Sequence, residues 1–162
     1  PFFIVDVFEQ YHKKNNDSVL MWVGTGELEQ EVKKYIGNKG LDNAVISMGN
    51  QTDMKAMYSA MDLFLLPSLY EGLGIVFIEA QANGLPVLAS DVVPQDTEVT
   101  ELIHYISLKK DAKEWAHELE LCLNNKEIKK RALYAEMVKA HGYDKKSNHD
   151  LLQYYKSFSE GK

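Results

Sequence analysis

LFLLPSLYEGLGIVFIEAQANGLPVLAS, residues 63–90, packs a strand, a loop, a helix and a second strand into one stretch. The apolar run LFLL closes on Pro67, a loop holding Gly72 and Gly74 follows, and the helix GIVFIEAQAN begins near Gly74. A break at Gly84 and Pro86 then leads into VLAS. Two apolar runs joined by a helix read as parallel strands with a crossover between them. Upstream the order repeats. VLMWV (residues 19–23) ends at Gly24 and Gly26 and precedes a polar helical segment to Lys39 with Leu28, Val32, Tyr35 and Ile36 on its apolar side. AVIS (44–47) precedes QTDMKAMYSA (51–60). The four runs are nearly continuous rather than alternating, as in strands covered on both faces. The expected fold is therefore α/β, a doubly wound, Rossmann-like parallel sheet.

Residues 2–14 are expected to be helical, with Pro1 at the helix start, so the strand that precedes a helix in a βαβ unit is expected upstream of this sequence. From Asp111 the pattern is wholly helical: DAKEWAHELELCLNN, then KEIKKRALYAEMVKA ending at His141-Gly142, then SNHDLLQYYKSF capped at Ser147. No repeat, low-complexity tract or linker interrupts the chain, which is expected to form one domain over residues 1–162.

With 45% hydrophobic and 26% charged residues the chain can bury a full core. A net charge of −6 excludes general nucleic-acid binding, which requires clustered Lys and Arg against phosphates. The absence of a long apolar run and of a basic-then-apolar start leads to the expectation of a cytoplasmic protein. Cys122, in WAHELELCL, reads as a buried helical position. His12, His104, His117, His141 and His149 show no metal-ligand spacing, so no metal and no cofactor are expected. Lys109, Lys110 and the cluster Lys126, Lys129, Lys130, Arg131 read as a solvated face, with contact to an anionic membrane surface as the alternative. Trp22, Trp115 and Tyr58 read as core.

The chemistry lies in Glu71 to Glu79, EGLGIVFIE. This loop sits at the carboxyl end of a parallel strand, where open α/β sheets bind ligands. Gly72 and Gly74 let a backbone approach a ligand closely, and the first N–H groups of the helix present the positive end of its dipole, a position suited to a diphosphate. Glu79, about 7–8 Å along the helix axis, reaches just beyond the phosphates, and its carboxylate can accept both hydroxyls of a ribose diol. Glu71 precedes the helix, where the dipole favours its charged form for accepting sugar hydroxyls or steadying developing positive charge. On geometry alone a second reading stands beside this one: Glu71 complements a helix N-terminus and Glu79 is a solvated helix position.

The block 63–90 resembles the signature of the retaining group one glycosyltransferases, which have the two-domain GT-B fold. That resemblance implies that Glu71 contacts the transferred sugar and acts in catalysis, that Gly72, Leu73, Gly74 and Ile75 meet the diphosphate and sugar, and that Glu79 holds the ribose. The likeness covers most of residues 19–121: VGTGELEQEV is similar to the family's Gly-x-Gly turn and helix, and GNQTDMKAMYSAMDLFLLPS to its nucleobase-side loop, helix and strand. Asn50, Gln51, Gly24 and Gly26 are thereby candidates for the nucleobase side; for the two glycines a simple strand-to-helix turn explains the pattern equally well. SDVVPQDTEVTELIHYISL followed by WAHEL departs from the commonest family pattern and looks closer to bacterial capsule and exopolysaccharide transferases.

The implied activity moves a sugar from a nucleotide-diphosphate sugar, UDP-sugar foremost, to a glycan or lipid-linked acceptor. The family carries a diphosphate-neutralising Arg and Lys, on the first strand of this domain and just after it, ahead of the position where this sequence begins. It also carries an acceptor-binding N-terminal domain. The isolated chain is therefore expected to be inactive and to bind nucleotide weakly, with the full enzyme near the inner face of the membrane. A GT-B-fold nucleotide-sugar epimerase and a non-catalytic nucleotide-binding module are the rival readings. A dinucleotide oxidoreductase is disfavoured, since no Gly-x-Gly-x-x-Gly opens the first unit.

Overall fold

The computed structural model describes residues 1–125 and 131–143. Helix α1 (Phe2–His12) leads into β1 (Leu20–Val23), α2 (Glu29–Asn38), β2 (Val45–Gly49), α3 (Met54–Ala60), β3 (Phe64–Leu66), α4 (Ile75–Ala82), β4 (Val87–Ser90), β5 (Ile103–Ile106), α5 (Ala112–Asn124) and α6 (Arg131–Ala140). Every strand pair is parallel. The expected start of α6 at 126–130 and the helix at 147–158 lie outside the described residues.

The strands form two sheets, β1-β2 and β3-β4-β5. In the doubly wound order 3-2-1-4-5-6 the first strand lies between the second and the fourth. The observed orders have the same neighbours as the second and third and as the fourth to sixth strands of that arrangement, with β1 and β3 as edge strands. The central strand β4 is buried at all four positions, and α4 reaches it through Phe77 and Ala80. On the opposite face α1 and α5 pack together through Val7, Trp115 and Leu119 against Leu88.

Three expectations need correction. Coverage on both faces holds for β4 but not for β2, where Ile46 and Ser47 are exposed. Leu20, Trp22 and Val45 face the core formed with α1 and α2, and Ile46 points the other way and is half exposed. Second, β5 is a strand that the helix-crossover pattern does not reveal. The chain passes from β4 to β5 with only a 3-10 turn at Gln95–Thr97, so the alternation of apolar run and helix breaks there. Third, β1, α1, α3, α4 and α5 are shorter than read, α1 ending at His12 and α4 spanning Ile75–Ala82.

Candidate functional site

β3 ends at Leu66, and the loop from Pro67 to Gly74 delivers the chain into α4. Gly74 stands immediately before the helix in the left-handed conformation, φ 60° and ψ 36°. A Cβ placed there would lie 2.8 Å from the Thr97 methyl and 3.0 Å from Phe77 Cδ2, so the turn admits only glycine. Gly72 differs. Its φ is not positive, and a Cβ added to it would meet open space.

Among the described residues, the backbone N–H groups of Gly72, Leu73, Gly74, Ile75 and Val76 donate to no protein oxygen; the next, Phe77 N–H, closes onto Gly74 O at 3.0 Å. Five successive backbone donors without a protein partner at a helix start can together serve as a cradle for an anion. Leu73 and Ile75 are largely exposed, so their backbone rather than their side-chain packing defines the loop's surface.

The two glutamates are held by different elements, Glu71 within its own loop and Glu79 from α3. Ser68 Oγ donates to Glu71 Oε1 at 2.6 Å, and Ser90 Oγ in turn donates to Ser68 O, tying the Glu71 loop to the end of β4. Glu79 is exposed on α4, and the buried Tyr58 donates its hydroxyl to Glu79 Oε2 at 3.0 Å. Burial and the adjacent carboxylate push the Tyr58 hydroxyl far above its ordinary range, so it stays a donor. Sequence reading placed Tyr58 in the core, which is where it lies, but missed its tie to Glu79. A buried tyrosine hydroxyl requires a partner, and that requirement is the signal the sequence offered.

The wall beside the cradle is the 91–100 loop. Gln81, fully buried, donates to Phe77 O at 3.1 Å and to Thr97 O at 2.7 Å. Its Oε1 accepts from Thr100 N at 3.0 Å and from Thr100 Oγ1 at 2.9 Å. Thr97 also donates to Pro94 O at 2.7 Å. The side chain that faces Gly74 is thus fixed by a satisfied buried network. Neither Gln81 nor Thr97 was singled out in the sequence.

The candidates on the nucleobase side meet at the carboxyl ends of β1 and β2. Gly24 N–H donates to Gly49 O at 2.8 Å, and Thr25 Oγ1 donates to Asn50 Oδ1 at 3.2 Å. Gln51 donates its amide to Met48 O. Gly24 and Gly26 line a cavity of about 580 Å³ with Trp22, Thr25, Val32 and Ser47; neither Glu71 nor Glu79 belongs to its lining. Gly24 takes φ 112° and so is needed for its turn, whereas Gly26 has open space at its Cβ position. Among the described residues no three His, Cys, Asp or Glu side chains converge as a cation site, and no helix is long and apolar enough to cross a membrane.

Comparison with known proteins adds an independent line. EpsF of Bacillus subtilis, which carries a glycosyltransferase name, is 30% identical over 130 residues, 80% of this chain and 34% of its own length. The Escherichia coli enzyme UDP-Gal:alpha-D-GlcNAc-diphosphoundecaprenol alpha-1,3-galactosyltransferase is 37% identical over 87 residues, 51% of this chain and 22% of its own. The chain thus spans about a third or less of the curated relatives it matches. The crystal structure of the pneumococcal O-GlcNAc transferase GtfA with UDP and GlcNAc superposes with a TM-score of 0.72 at 19% identity, over 98% of this chain and 32% of that one, a likeness of fold. The model of the family described as glycosyl transferases group 1 matches residues 1–141, nearly the whole described chain, and the chain belongs to that family.

Proposed function

We propose that the chain is the donor-binding part of a retaining glycosyltransferase that moves a sugar from a nucleotide-diphosphate sugar, a UDP-sugar foremost, to a glycan or lipid-linked acceptor. The observation that carries this reading is the row of free amides from Gly72 to Val76, with a hydrogen-bonded carboxylate before it in the chain at Glu71 and another after it at Glu79. The amides take the diphosphate, where an anion gains most from the helix start. Glu79 accepts the ribose hydroxyls. Glu71 accepts hydroxyls of the transferred sugar and steadies the positive charge that develops at its anomeric carbon as the diphosphate departs. Gly24, Gly26, Asn50 and Gln51 form the nucleobase side.

UDP is favoured because the pneumococcal structure holds UDP and the Escherichia coli relative is named for UDP-Gal. A lipid-linked acceptor is favoured by that second name, which specifies a diphosphoundecaprenol acceptor. Acceptor binding belongs to a further domain, in keeping with the share of its relatives that the chain spans. Lys109 and Lys110 are exposed and suit contact with the anionic membrane that carries such an acceptor.

The test is donor turnover by the complete gene product with UDP-galactose, UDP-GlcNAc and GDP-mannose, with and without a diphosphoundecaprenol-linked sugar. Acceptor-dependent release of nucleoside diphosphate, with the anomeric configuration of the donor kept in the product, is expected. Glu71→Gln is expected to lower kcat by about 100-fold or more. Epimerised donor without transfer, or nucleotide binding without turnover on any acceptor, would contradict the proposal.

A further inference from the structure

We propose that Tyr58 is the positioning residue for Glu79, fixing one carboxylate oxygen so that the remaining lone pairs meet the ribose diol; this rests on the donor-site reading above. Glu79 is exposed, and an exposed glutamate on a helix samples several rotamers that binding must freeze. Here one oxygen, Oε2, is already tied at 3.0 Å to a hydroxyl whose ring is 1% exposed. That ring has little freedom of its own. It packs edge-on against Phe64 of β3, with centroids 5.8 Å apart and planes at 76°, and Phe64 packs likewise on Phe77 of α4 at 5.9 Å. The hydroxyl therefore projects from a three-ring stack built on α3, β3 and α4, the same strand and helix that carry the amide cradle.

A carboxylate has about four lone-pair sites, and the phenol occupies one of them. Two hydroxyls of a cis-diol can be accommodated by the rest. Pre-ordering the carboxylate in this way lowers the cost of binding and leaves the contact itself to Glu79. A bond that served only to staple α3 to α4 would affect stability and would be indifferent to the ligand's sugar. The two roles are thus separable by the ligand.

The experiment compares affinities of the complete gene product and its Tyr58→Phe variant for UDP and GDP and for their 2′,3′-dideoxy counterparts. The expected result is a loss of about three- to tenfold for the ribonucleotide in Tyr58→Phe, with the dideoxy affinity unchanged. Equal losses on both nucleotides, or no loss on the ribonucleotide, would overturn the positioning role and leave the donor site standing. A native protein that binds neither UDP nor GDP would overturn the donor-site reading and this inference with it. A native protein that binds ribo and dideoxy forms equally would remove Glu79 from the ribose and also refute the inference. If Tyr58→Phe does not fold, the crystal structure of the native protein with UDP decides: the phenol and the ribose hydroxyls are expected on one carboxylate, and a Glu79 turned away from Tyr58 or from the ribose would contradict the proposal.

Discussion

Gly72 and Gly74 stand two residues apart and are glycine for different reasons. Gly74 is required by the fold, through its left-handed backbone and the Thr97 methyl against it. Gly74→Ala is expected to cost about 2–3 kcal/mol in chemical denaturation, from the backbone penalty together with the overlap. Nothing in the protein crowds Gly72. Gly72→Ala should leave stability within about 0.5 kcal/mol and weaken nucleoside-diphosphate binding, because the added methyl occupies the space left for a ligand. Cys122 is at the other extreme: 3% exposed, with burial pushing its thiol up to about 11. It should resist alkylation near neutral pH in the native state and react once the chain is unfolded in urea.

At the scale of elements, the link that shapes the site is Gln81. It joins α4 to the 91–100 loop with three hydrogen bonds, adds a fourth to Phe77 O within α4, and has no solvent exposure. Gln81→Met keeps the volume but leaves the Thr100 N–H and hydroxyl without their acceptor, and should cost about 3 kcal/mol with faster amide exchange across 91–100. This network also shows where sequence reading stops. The strand–loop–helix at 63–82 and both glutamates were legible, because apolar runs, glycines and helical spacing are local signals. Tyr58 and Gln81 act across 21 and up to 19 residues of chain, and Ser68 is fixed by Ser90 across 22, through contacts that only the folded sheet creates. Strand β5 was missed for a related reason: it is four residues long, carries an exposed His104, and follows no crossover helix.

Across the whole molecule, α1 is tied to the end of α2 at Lys39, whose ammonium lies 2.6 Å from Glu9 and 2.9 Å from Asp6. Hydrogen bonds from Lys13 and Lys39 hold the Glu9 carboxyl below its ordinary value of 4.5. A depressed carboxylate contributes stability above its unfolded value, and that contribution is lost as pH falls through the folded one. Lys39 is shifted the opposite way, upward, so its share is present below its ordinary 10.5 and persists until strongly alkaline pH. Lys39→Met should therefore lower stability by about 1 kcal/mol near neutrality and flatten the loss between about pH 5 and pH 3, as read by thermal melts.

The doubly wound architecture was readable from the alternation of runs and helices, while its division into two sheets at the β1 and β3 edges emerged only from the strand pairing. That architecture puts the Gly72–Val76 amides at the carboxyl end of β3, where the donor-site reading needs them to bind diphosphate. The direct measurement is amide chemical shift in the isotopically labelled protein during titration with UDP and with GDP, which share the diphosphate. Gly72 to Val76 are expected to shift most, with Glu79 and the Gly24–Gly26 turn following according to ribose and base. Titrations that leave Gly72 to Val76 unmoved while other residues respond, or that move nothing at millimolar nucleotide, would contradict the donor-site reading.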